Sequence, residues 1–172
     1  MGMTPTQFFE SFVEGNQLDC EQNPGCVRRA FNAAVSASHL ADHYFEFSRR
    51  NNHDAMREFP NIGKFVEHVS NQTSGAFRDV RSIANAYKHL YTDAASKHAA
   101  HCYVNSCGSI ETIELTADEA LIGLSEEYFN GAESSMARSA VVFTRKDKTK
   151  AEFLPALTAA VVYWSELIYD RA

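Results

Sequence analysis

Apolar residues recur at helical spacing through most of the first hundred positions of the chain. Phe8, Phe9, Phe12 and Val13 form a first apolar face. Thr4 followed by Pro5 is its start signal. A threonine side chain can accept from a free N–H of the first turn, and proline at the first helical position loses no bond. Gly15 and Asn16 predict the end of this helix. Asp19 to Gly25, with the turn sequence Asn23-Pro24-Gly25, predicts a loop.

A longer helix is predicted from about Cys26 to Arg50. Val27, Phe31, Ala34, Ser38, Ala41 and Phe45 form one row, and Ala30, Ala37, Leu40, Tyr44 and Phe47 the row beside it. Together they make the wide stripe of a bundle helix. The opposite row, Asn32, Ser36, His39, His43, Glu46 and Arg50, is entirely polar. Short helices are expected at Asp54–Phe59 and Asn61–Val69, parted by Pro60. The next long one runs from about Gly75 to Tyr91. Its core row is Phe77, Val80, Ala84, Tyr87 and Tyr91, with Arg78, Arg81, Asn85, Lys88 and His89 to the other side.

The period changes near His101. HCYVNSC and ETIELT alternate and carry Thr, Val and Ile, which predicts short strands. Residues 117–136 fit no single pattern. Ser139 to Thr144, the turn Arg145-Lys146-Asp147-Lys148 and Thr149 to Phe153 read as a hairpin. Pro155 opens a last helix whose apolar side is Leu157, Val161, Trp164, Leu167 and Ile168, expected to seal the bundle or the sheet. The predicted fold class is α+β, mainly α. It is one domain over 1–172, with a helical bundle at about 4–100. A small antiparallel sheet or hairpin and a closing C-terminal helix fill about 101–172.

Composition adds exclusions. At 172 residues, 45% apolar and 22% charged, the chain has an ordinary globular mix. No apolar run approaches the roughly 20 residues that span a bilayer, so no membrane is expected as a partner. The N-terminus has no basic stretch leading into an apolar one, which predicts no secretory signal and a cytoplasmic location. Cys20, Cys26, Cys102 and Cys107 are then expected as thiols. A net charge of −6 excludes a general nucleic-acid coat. Arg28/Arg29, Arg49/Arg50 and Arg145, Lys146, Lys148, Lys150 are local basic clusters, which solvated faces explain equally well.

Three constellations carry chemistry. His39 and His43 are four apart on one helix face, the spacing of a helical metal pair, with Glu46 and Glu67-His68 as further donors. Against this, repeated Glu-x-x-His motifs are missing, and histidines on a polar face need no metal. Cys102 and Cys107 beside His98 and His101 lack the C-x2-C spacing of structural zinc. On a strand His101 and Cys102 would point apart, a poor nucleophile pair. No cofactor is expected, and no phosphate loop of either glycine-rich type occurs. Arg81, Asn85 and His89 stack four apart along one helix. An arginine can hold a phosphate through two N–H groups, and a histidine can move a proton at neutral pH. A helix end with Lys88 and His89 against its dipole accounts for the same residues without chemistry.

The segments AFNAAVSASHLADHYF and FRDVRSIANAYKHLY resemble a family of small uncharacterised bacterial proteins and, more distantly, the HEPN superfamily of helical bundles. Active HEPN proteins are metal-independent ribonucleases that work as dimers, many in toxin–antitoxin and phage-defence systems. Others are inactive binding modules. The resemblance covers about residues 25–95. It implies RNA as substrate, a homodimer, and Arg81, Ser82 and His89 as the nearest equivalents of the family motif; with Asn85 added from the helical spacing, Arg81, Asn85 and His89 are the candidate catalytic set. The family's Arg precedes its His with four to six residues between them. Here seven separate Arg81 from His89. Without a complete catalytic motif, the leading expectation is a binding module for RNA or a protein partner. The ribonuclease and the metal-binding bundle at His39 and His43 are the alternatives.

Overall fold

The computed structural model describes residues 2–51, 56–88, 103–104, 106–115 and 138–169. Helix α1 spans Pro5–Phe8, capped by Thr4, whose Oγ1 accepts from the Gln7 N–H while the Gln7 side chain accepts from the Thr4 N–H. The helix does not stop at Gly15. It passes through a π segment, Phe9–Val13, into α2, Glu14–Gln22. Phe9 and Val13 are buried there, and so is Cys20 one helix further on. Burial of these side chains outweighs the weak local break at Gly15 and Asn16. The expected loop shrinks to residues 23–26. Phe12, expected in the core face, is exposed. It shares a row with half-buried Phe8, their rings 5.1 Å apart.

Helix α3, Val27–Arg50, buries most of the predicted stripe, with Val27, Phe31 and Phe47 half-buried. Ser36, expected on the polar side, is buried too, with its Oγ donating to the Ala33 carbonyl at 3.1 Å. Of the expected Asp54–Phe59 helix, Met56 to Phe59 forms a turn closed by the Phe59 N–H on the Met56 carbonyl, and the rest lies outside the described residues. Helix α4, Ile62–Gln72, is capped by Asn61. Helix α5, Ala76–Lys88, lies antiparallel to α3 and buries Phe77, Val80, Ile83 and Ala84. Tyr87 departs from the predicted core row. It is 58% exposed and packs its ring 4.9 Å from that of Phe31 on the surface. Tyr91 lies outside the described residues.

After α5, the described part of the first predicted strand is no strand. Val104 makes a single bridge to Arg145, and Cys107–Ser109 is a 3-10 turn. Then β1, Ile110–Leu115, pairs antiparallel with β2, Arg138–Thr144, with Ile110 opposite Phe143. β3, Lys150–Glu152, pairs with the other edge of β2, Phe143 opposite Ala151, which completes the predicted hairpin. The 23–26 loop closes on this sheet. The Val141 N–H donates to the Pro24 carbonyl and Thr112 Oγ1 to that of Gly25. A Cβ on Gly25 would stand 2.5 Å from that of Ser139, so only glycine fits this approach. Residues 117–136, which fit no single pattern, lie outside the described residues.

The last helix, α6, spans Phe153–Tyr169 and so starts two residues before Pro155. A proline in the first turn removes an N–H that has no helical partner anyway. Trp164, Leu157, Ala160 and Val161 pack in the same core as residues of α3, α4, α5 and the sheet. The mainly helical α+β architecture with one small antiparallel sheet is therefore the one predicted. No described helix is long and apolar enough to cross a membrane.

Candidate functional site at the α3–α5 seam

The buried stripes of α3 and α5 face each other, and this places the polar residues at the edge of each stripe along a common seam. Arg81 of α5 reaches across it. Its Nη2 donates to Asp42 Oδ1 at 3.1 Å and its Nη1 to Asp42 Oδ2 at 3.4 Å. The same Nη1 also meets the Ser38 carbonyl at 3.2 Å and Ser38 Oγ at 3.3 Å. This is the two-pronged geometry that guanidinium and carboxylate favour. The pair lies at the rim, with the Arg81 side chain 24% and Asp42 46% exposed.

His39 stands one residue along from Ser38. Its Nε2 is 2.6 Å from Lys88 Nζ at the end of α5. An ammonium has no lone pair, so the lysine donates and the His39 Nε2 accepts, which fixes the neutral imidazole with its proton on Nδ1. The electrostatics agree. Burial lowers the His39 pKa first, the Lys88 and Arg81 charges lower it further, and Asp42 opposes them. Lys88 is lowered as well, by burial and by Arg81 against Asp42. The seam is thus a chain of Asp42, Arg81, His39 and Lys88 in which one acid and two cations surround a neutral histidine that can take up a proton.

Arg81 and His39 are therefore brought to one side of the bundle. Asn85, between Arg81 and Lys88 on α5, is half-buried and makes no side-chain hydrogen bond to the described residues. His89 lies outside them. His43, although one turn from His39, takes a different neighbour. Its Nε2 is 2.7 Å from the Met3 carbonyl, and its ring packs 5.2 Å from that of Phe8. Glu46 is exposed and sits 3.9 Å from Arg50. His68 packs on Phe59, and Glu67 pairs with Lys64 at 2.7 Å. Among the described residues no group of three or more His, Cys, Asp or Glu is placed to hold a metal ion. Cys20, Cys26 and Cys107 are free thiols, Cys20 with its pKa pushed up to about 11, chiefly by burial. Cys102, His98 and His101 lie outside the described residues.

Two of these partners carry no sequence signal as site residues. Ser38 falls in the apolar stripe, and Asp42, three residues from His39 and four from Ser38 on one helix face, belongs to no motif of its own. Helical spacing gives the face a residue occupies; it does not give which residue of a second helix meets it. Comparison with known proteins returned no match among protein-family models, curated proteins or solved structures, so the likeness to HEPN bundles rests on the residues quoted for it.

Proposed function

We propose that this chain is a helical binding module of the bacterial cytoplasm with no catalysis of its own. One observation carries the reading: the Arg81 fork is already committed to Asp42 and Ser38. A phosphate arriving at the seam would have to displace a carboxylate bound through both oxygens. Arg81 so engaged orders two helices rather than waiting for a substrate. Its partner is an RNA or a protein.

The second reading is a HEPN-like, metal-independent ribonuclease acting as a homodimer through Arg81, Asn85 and His89. The neutral His39 beside Lys88 favours it, since an unprotonated imidazole next to cations is a serviceable base for RNA cleavage. One experiment separates the two. End-labelled RNA is incubated with the purified chain, with and without a chelator. Intact RNA is the expected result. Cleavage that survives chelation and disappears in both Arg81→Ala and His89→Ala, with thermal midpoints unchanged, would establish the ribonuclease instead. Cleavage lost on chelation would return attention to His39 and His43 as metal ligands.

A further inference from the structure

Arg78, in the first turn of α5, has its guanidinium fixed by two neighbours. One is Gly75, at φ +90, where a Cβ would stand 3.0 Å from Arg78 Nη2. Any other residue there would be strained in its backbone and would press on the guanidinium. The second neighbour is Tyr103, whose ring centroid lies 4.2 Å from the guanidinium carbon. Tyr103 is itself tied down at both ends of its peptide. Its N–H donates to Ser82 Oγ at 3.0 Å, and its carbonyl accepts from the Lys146 N–H at 2.8 Å. Ser82 Oγ in turn donates to the Arg78 carbonyl at 2.8 Å. Helix α5, the segment at Tyr103 and the β2–β3 turn thus meet at this point.

Among the described residues the charge of Arg78 is unanswered. Its guanidinium makes no hydrogen bond or ion pair with the described residues, and its Nε is buried without an acceptor. The adjacent carboxylate, Asp79, is taken by Arg145, whose Nη2 donates to Oδ2 at 2.6 Å and whose Nε meets both oxygens. The turn beside Tyr103 adds Lys146 and Lys148. Its one acid, Asp147, is bound to the Thr149 N–H at 2.9 Å and to Thr149 Oγ1 at 2.7 Å. A chain of net charge −6 therefore gathers cations here beside an Arg78 guanidinium that has no acceptor among the described residues. Holding a half-buried donor unpaired costs free energy, which an anion at the site would return.

A fixed guanidinium suits a phosphate, and a tyrosine ring open to solvent suits a nucleobase. Tyr103 is 39% exposed. We propose that Arg78 and Tyr103, flanked by Lys146 and Lys148, form a nucleotide site, Arg78 taking a phosphate and Tyr103 stacking the base. The nucleotide is either free or one unit of a single-stranded RNA, which present the same chemistry. The inference deepens the binding-module reading by naming a ligand class. It shares no residue with the α3–α5 seam.

Three probes test it on the full chain: a fluorescein-labelled uridine decamer, uridine monophosphate and inorganic phosphate. Saturable binding of the decamer or the monophosphate is expected, weakened at least tenfold by Arg78→Gln and by Tyr103→Leu, and weakened by salt. The bound probe should raise the thermal midpoint of the wild-type chain but not that of Arg78→Gln. Decamer binding without monophosphate binding assigns an RNA strand. Equal binding of both assigns a free nucleotide. Inorganic phosphate competing as well as the monophosphate, with Tyr103→Leu unaffected, would overturn the stacking role. If Arg78→Gln fails to fold, Tyr103→Leu and Lys148→Glu, both at exposed positions, replace it, and wild-type binding in both would overturn the proposal. So would the absence of saturable binding of every probe to the wild-type chain. RNA cleaved during the assay would overturn the catalysis-free reading and leave the site to be judged by its own variants.

Discussion

His39 sits where burial, Lys88 and Arg81 of α5 all oppose its protonation and only Asp42 of its own helix favours it. In the unfolded chain these neighbours are gone and the imidazole titrates at its ordinary value of 6.5. In the folded chain it accepts a proton only at lower pH. Between the two values the unfolded chain binds more protons, so stability is fully present above the unfolded value and falls as the pH drops through the folded one. Burial is the larger cause, and the Lys88 contact adds to it, because it becomes a meeting of two cations once His39 is protonated. His39→Gln keeps an acceptor for Lys88 and removes the titration. Thermal midpoints measured from neutral to mildly acid pH should therefore fall more steeply in the wild-type chain than in this variant. Parallel curves would mean that His39 is not held neutral. The same contact illustrates what a single sequence conveys about a site. His39 and Arg81 lie on the polar edges of two amphipathic patterns, and their convergence is readable once the stripes are assumed to pack. Their partners Asp42 and Lys88 depend on the register between two helices whose contacting residues lie 39 and 49 positions apart, which no local pattern encodes.

At the level of elements, long periodic segments were legible and their ends were not. α3, α5, α6 and the β2–β3 hairpin follow from their apolar periods. α1 to α2 runs on past Gly15 because a Gly inside a helix costs only about 1 kcal/mol relative to Ala, which buried contacts readily offset. The link between α5 and the sheet was invisible for another reason. Asp79, fully buried in α5, pairs with Arg145 at the end of β2, 66 residues away, and neither looks like a core residue. Two charges removed from water stabilise little as a pair, but leaving one of them alone is costly. Asp79→Ala is expected to destabilise the fold by about 3–5 kcal/mol, because Arg145 stays buried without its carboxylate. Replacing both, as Asp79→Leu with Arg145→Met, should cost clearly less than Asp79→Ala. Urea unfolding of Asp79→Ala, of the double variant and of its two single changes checks this. A double variant that loses as much as the two single changes added together would show that the pair contributes independently of its partner charges.

On the scale of the whole molecule the elements converge on Trp164. It is fully buried, and its ring lies 5.9 Å from Tyr44 of α3, 6.1 Å from Phe65 of α4 and 5.6 Å from Phe77 of α5. The closing role of α6 was readable from its apolar face; the choice of Trp164 as the meeting point of three other helices was not, since it needs their packing. The indole N–H at this centre has no acceptor among the described residues, so the residue is held by its rings and its volume and against the cost of one buried donor. The two contributions can be separated. Trp164→Ala removes the whole ring system and should cost about 3–5 kcal/mol. Trp164→Phe leaves a smaller cavity and also deletes the unpaired donor, so its loss should be well under half that of alanine. Both are measured by urea unfolding followed by far-UV circular dichroism, since the fluorescent residue itself is changed. The unfolding slope should stay near that of the wild-type chain if helices and sheet remain one cooperative unit around this side chain. A phenylalanine variant as damaged as the alanine one would mean that the indole nitrogen does have a partner, and that the centre of the molecule is held by a polar contact rather than by aromatic packing alone.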